Sequence, residues 1–164
     1  MAHFLSNERD EDVMGAYRRY QRYLNERRQE FPPNAFKLAT AEWYYDPSDH
    51  RCPHDGWLES LDIAEVAAAD KQRIMTIRVR LLAAYHDGYI EFFYQRVFSY
   101  LLESPSCASG LGDWRYDEFR LSPSGNVIHE IEWGSAPGSK GSRWFIESSE
   151  VEFRWSPELR SSSH

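Results

Sequence analysis

Cysteine is scarce in this chain: 164 residues hold only Cys52 and Cys107, placed in different loops with no paired spacing. Two isolated thiols make no disulfide framework, so stability must come from a packed core. Long apolar runs are also missing. Nothing approaches the roughly 18 consecutive apolar residues that read as a membrane-spanning helix, and the first residues show no charged, apolar, small-residue leader. The expectation is a cytoplasmic protein that meets no membrane.

Enzyme signatures are absent as well. There is no GxSxG nucleophile elbow and no GxGxxG fingerprint. Gly134 to Ser142 reads GSAPGSKGS, but Ser139 separates Gly138 from Lys140, and Gly141 follows the lysine where a phosphate loop needs Ser or Thr. No helical pattern follows to aim backbone amides at phosphate. No cofactor is expected.

Positive charge is in deficit, with 26 acidic against 19 basic residues and a net charge of −7. The imbalance is local: residues 1–30 carry six of each sign, which leaves twenty acids against thirteen bases in the rest. An acidic body repels phosphate, so nucleic acid is not an expected partner. A basic protein is the better match.

Aromatic side chains, in contrast, make up 15% of the chain and fall mainly in alternating segments, where they serve a core. The length suits one domain spanning 1–164, able to bury roughly 68–70% of its unfolded surface. Residues 6–30 read as an amphipathic helix, with Val13, Met14, Tyr17, Tyr20 and Leu24 as its apolar stripe and Pro32-Pro33 as its stop. Residues 36–45 mix Ala and Leu with Trp43, Tyr44 and Tyr45 and are read as a strand. Asp46 to Gly56 is rich in turn formers and is a loop. Trp57 to Val66 alternates again.

Ile74 to Leu102 organises the rest. Met75, Ile77, Val79, Leu81 and Ala83 alternate with a more polar set at the strand period of two. Asp87-Gly88, taken as the centre of a two-residue turn, pairs Leu81 with Tyr94 and Val79 with Arg96. That register places Arg96 as the one charge on the apolar face. Farther on, Ser122 to Asn126 joins strands 114–121 and 127–133, in a register that is either Trp114 against Trp133 or Phe119 against His129. Ser142 to Glu147 and Glu150 to Trp155 read as a last hairpin, and 157–164 as a frayed tail. The expected fold is α+β: an N-terminal amphipathic helix on a strongly curved, mainly antiparallel β meander of seven or eight strands over 36–155, barrel-like or two-layered.

Three sets of residues offer chemistry. His50, Cys52 and His54 lie in one loop with ligand types that zinc accepts, though their spacing fits no established pattern. Arg96 needs a carboxylate partner or an anionic ligand if it is buried. His129, with Tyr94 or Tyr116, would give an aromatic pocket its polar groups. The leading expectation for function is a small acidic protein-interaction module without catalysis, of which an antitoxin or immunity-type inhibitor is one form. The alternatives are a small-molecule-binding or enzymatic barrel-like protein using Arg96 and His129, and a metal-binding loop protein.

Overall fold

The computed structural model describes residues 7–134 and 141–159. A short 3-10 turn, Asn7–Asp10, leads into α1 (Val13–Glu26) and α2 (Pro33–Ala39). Six strands follow: β1 (Trp57–Ala67), β2 (Arg73–Leu82), β3 (Gly88–Glu103), β4 (Trp114–Leu121), β5 (Val127–Trp133) and β6 (Arg143–Pro157). They form one antiparallel sheet in the order β1-β2-β3-β6-β5-β4. The class is α+β, with two consecutive meanders, β1-β2-β3 and β4-β5-β6, joined where β3 pairs with β6.

The two strands missing from the expected set have separate explanations. Residues 36–45 are not extended: Pro33 opens α2, and Ala35, Leu38 and Ala39 bury one side of it. The helix has no cap of its own, so the Glu150 carboxylate on β6 accepts the Asn34 and Ala35 amides at 2.9 Å each. The last hairpin is a single strand. Ser148-Ser149 lacks the residues a tight turn demands, and β6 runs straight through them with an irregularity opposite Val97 and Ser99. Ile146 therefore faces His129 and Tyr100, while Val151 faces Tyr94.

The central hairpin forms with a longer loop than Asp87-Gly88 implies. Ala83 pairs with Gly88, and the His86 amide bonds to the Ala83 carbonyl at 2.9 Å, with His86 at φ +55°. The left-handed residue is thus His86, and the register becomes Leu81↔Ile90, Val79↔Phe92, Ile77↔Tyr94. The partner shifts by four residues, an even number, so the apolar face survives. Arg96 leaves that face: it sits at an irregularity in the β2–β3 pairing, at φ +49°, with its side chain exposed.

The 122–126 turn uses both candidate registers. Leu121↔Val127 and Phe119↔His129 hold next to the turn, and a bulge between Trp114 and Tyr116 then converts the pairing to Trp114↔Trp133. Gly125 supplies the positive φ of +79° that this five-residue loop needs.

The sheet is strongly curled. β3 and β4 are three strand spacings apart, roughly 14 Å on a flat sheet, yet the Phe92 and Trp114 rings stack at 5.2 Å. At one corner the curl brings the edges together: the Asp55 amide bonds to the Trp114 carbonyl at 2.8 Å, and the Trp114 amide to the Gly56 carbonyl at 3.0 Å. β1 and β4 do not pair as strands, so the sheet is not closed. Its concave face holds Phe92, Trp114, Phe119, Ile131 and Trp133, sealed by Tyr20 and Leu24 of α1, Leu38 of α2, and Tyr44. Helix α1 starts later than its pattern suggests, because Asp12 caps it by accepting the Gly15 amide at 2.8 Å. Val13 and Met14 consequently stay exposed, and Ala16, Tyr20 and Leu24 form the buried stripe. Residues 1–6, 135–140 and 160–164, which take in the start of the expected helix and most of the expected frayed segment, lie outside the described residues.

Candidate functional site

The curl brings Tyr94 of β3 and His129 of β5 together, with the tyrosine hydroxyl 2.7 Å from Nδ1. The other ring nitrogen, Nε2, lies 2.7 Å from Oδ2 of Asp117 on β4. Tyr44, in the turn after α2, donates its hydroxyl to the same oxygen at 2.6 Å, and the Trp114 indole donates to Oδ1 at 2.9 Å. An ionised Asp117 accepts all three donors. The consistent assignment puts the histidine proton on Nε2 and leaves Nδ1 to accept from Tyr94. Phe119 stacks on the imidazole at 4.0 Å between centroids. Burial pushes the Tyr44 and Tyr94 hydroxyls well above the usual tyrosine range, with the Asp117 charge adding to the effect.

An Asp–His–Tyr chain can orient a base or pass a proton, provided one end reaches a reactant. Here Tyr94, His129 and Tyr44 have no exposed surface, and Asp117 has 4%. Every polar atom of the cluster is satisfied within it. It ties β3, β4, β5 and the segment after α2 to one another and behaves as a structural pin.

Asp117 is also at the floor of a cleft of about 290 Å³ lined by Met14, Tyr17, Tyr45, Cys52 and Tyr116. Tyr116 is thus near the cluster without joining it, and the Arg9 guanidinium covers its ring at 4.2 Å. Cys52 is buried, with its thiol pushed up to about 12 by desolvation, which makes it a poor nucleophile. Arg96 stands outside both the cluster and the cleft.

The loop histidines and Cys52 do not converge. His50 Nδ1 meets Asp87 at 2.5 Å while its ring stacks on Tyr85, and His54 Nδ1 meets the Arg115 carbonyl at 2.6 Å. Among the described residues no group of three or more His, Cys, Asp or Glu side chains is placed to hold a metal ion. Nor is any described helix long and apolar enough to cross a membrane.

Sequence reasoning had not singled out Asp117, Tyr44 and Trp114. For Asp117 a signal existed: with Phe119 opposite His129, a residue two positions away lies on the histidine's face. Tyr44 was obscured because its segment was read as a strand.

The strand edges differ in what they leave open. At β4, the Tyr20 hydroxyl accepts the Phe119 amide at 2.8 Å and donates to the Phe119 carbonyl at 3.0 Å. The Tyr23 hydroxyl accepts the Leu121 amide at 2.9 Å. Among the described residues β1 has a neighbouring strand on one side only, and all its residues from Asp62 to Ala67 are exposed. It carries Glu59, Asp62 and Glu65 and no Lys or Arg.

The architecture that emerges is a curled six-stranded antiparallel sheet filled by aromatics and plugged by two helices. Compared with protein families, curated proteins and solved structures, the chain matches none.

Proposed function

We propose that the protein is a non-catalytic interaction module that receives an extended, basic segment of another protein along the outer edge of β1. The observation that carries this reading is the edge of β1, a strand of eleven residues that pairs on its outer side with no other strand among the described residues, in a protein that occupies its opposite edge with tyrosine hydroxyls. An unpaired strand edge offers main-chain hydrogen bonds to a partner strand. Glu59 and Glu65 already lie beside Arg80 and Arg73, so it is Asp62 on β1, within a chain of net charge −7, that favours positive charge on that partner. Within the cluster the donors and acceptors are matched to one another, and His129 and Tyr94 have no exposed surface, which supports a structural role for them.

The test is capture from cell extract at low salt, comparing the native chain with a variant carrying Asp62→Lys and Glu65→Lys. A partner should be retained by the native chain, released as salt rises, and lost with the reversal. Recovery of nothing at low salt, or capture indifferent to the reversal, would overturn the reading. A small molecule bound in the aromatic cleft would be reported by quenching of intrinsic tryptophan fluorescence through Trp114 when aromatic fragments are added.

A further inference from the structure

A groove of about 690 Å³ runs between α2 and β6, within the size range of small-molecule sites, roughly 300–1,000 Å³. Lys37 and Trp43 line it on the helix side and Phe153 and Arg154 on the strand, with Phe93 of β3 beside them. Trp43 packs on Phe153 at 5.0 Å between ring centroids, so the groove offers aromatic surface next to two cations.

Backbone direction decides which polar groups face the groove. The Glu158 amide bonds to the Asp87 carbonyl at 2.8 Å, and the β3–β6 register stays constant from Gly88↔Pro157 to Gln95↔Glu150. Even-numbered residues of β6 in that stretch therefore turn their amides and carbonyls to β3, and Val151, Phe153 and Trp155 turn theirs away. Among the described residues no strand receives them there, because β5 pairs with β6 only as far as Val127↔Ser148. Val151 shows what that side accepts. Its amide bonds to the Glu150 carboxylate at 3.0 Å, and the same carboxylate takes the Asn34 and Ala35 amides at 2.9 Å each. The chain thus seats one carboxylate of its own between α2 and the open side of β6. Phe153 repeats the amide two residues on, but Glu152 does not repeat the acid: its carboxylate accepts from Gln95 on β3.

The chain carries −7, yet this groove holds unmatched positive charge. Lys37 and Arg154 are exposed and form no ion pair among the described residues. The acids that line the groove are engaged, Glu152 with Gln95, and Glu91 with Arg78 and Arg80 at 3.8 and 3.7 Å. We propose that the groove binds a small aromatic carboxylate, its acid group between Lys37, Arg154 and the Phe153 amide, and its ring against Trp43 and Phe93. Charge-assisted bonds to the acid and contact with the ring then act together. The site lies on α2 and β6 and does not depend on the β1 reading.

The test is an amide NMR titration of the full chain with cinnamate, and with cinnamamide as its uncharged counterpart. The expected result is saturable movement of the Phe153 amide and Trp43 indole signals with cinnamate, and binding weaker by about tenfold or more with cinnamamide. Lys37→Gln combined with Arg154→Gln should weaken cinnamate binding by a similar factor, while Lys71→Gln, between β1 and β2, should leave it unchanged. Both groove cations are exposed and unpaired, so the double variant should keep its fold, and unaltered signals away from the groove check that. Cinnamate that moves no groove signal at millimolar concentration overturns the proposal, as does equal binding of cinnamamide, or of cinnamate to the double variant. Asp62→Lys with Glu65→Lys should leave the titration as it is, so failure at β1 and failure here are separate results.

Discussion

Along β4, the outward backbone groups of Phe119 and the amide of Leu121 are held by hydroxyls reaching over from α1. Along β1, at the other side of the same sheet, the corresponding groups have no second strand beside them among the described residues, and the side chains from Asp62 to Ala67 are exposed. The sides differ in charge arrangement too. On β4, β5 and β6, ion pairs run from Glu118 through Arg120, Glu130, Arg143 and Glu132 to Arg9, with Glu118 fully buried. On β1 and β2 the pairs are looser, Glu59–Arg80 at 3.2 Å and Glu65–Arg73 at 3.7 Å. The contrast shows that a strand edge can be closed without another strand, given tyrosines at the right helical spacing. Among the described residues, α1 closes one edge and no strand or helix closes the other.

If the β4 side is where stability resides, substitutions there should be costly while those on β1 are not. Asp117→Ala strips the acceptor from Tyr44, Trp114 and His129 at once and should cost about 3–5 kcal/mol in chemical denaturation. Tyr20→Phe leaves the Phe119 amide and carbonyl without their partner and should cost about 1–3 kcal/mol by the same measurement. A smaller loss from it would mean that water reaches that edge.

Alkali probes the same side. Tyr20, Tyr44 and Tyr94 are buried and titrate well above the ordinary range. Their folded forms keep the proton after the unfolded chain has lost it. Stability should therefore hold up to about pH 10 and fall beyond it, by about 1.4 kcal/mol per pH unit for each such tyrosine. Urea midpoints followed from pH 8 to 12 would show the break. The smallest effect belongs to β1, where Asp62→Lys should change stability by no more than about 0.5 kcal/mol. Amide exchange should show the same contrast in the native chain, with Phe119 and Leu121 protected well beyond Asp62 to Ala67.

The inward faces of the strands were legible in the residues, and the edge contrast was not. Alternation from Met75 to Ala83 and from Val127 to Trp133 placed His129 and Tyr94 on inward faces, and those faces held even though the 83–88 loop is longer than Asp87-Gly88 suggests. Parity is a robust signal because any even shift preserves it. What local pattern could not show were effects of distant chain. α2 depends on Glu150 for its cap, so a helix at 33–39 was invisible without β6. Arg96 was expected on the apolar face and lies outside it because an irregularity in the strand pairing re-aims its side chain. The Tyr94–His129 contact follows from the curl, which no stretch of sequence specifies by itself. His50, Cys52 and His54 share a loop, yet His50 turns to Asp87, His54 to the Arg115 carbonyl, and Cys52 is buried.

The corner where Asp55 and Gly56 meet Trp114 carries a kinetic consequence. Those two bonds join segments far apart in the chain, from the residues before β1 to the start of β4 at opposite ends of the strand order. Closure of so long a loop comes after local hairpins on the route to the native state. Weakening the corner should therefore speed unfolding while leaving the refolding rate almost unchanged, so that this junction governs how long a folded molecule lasts more than how quickly one is made.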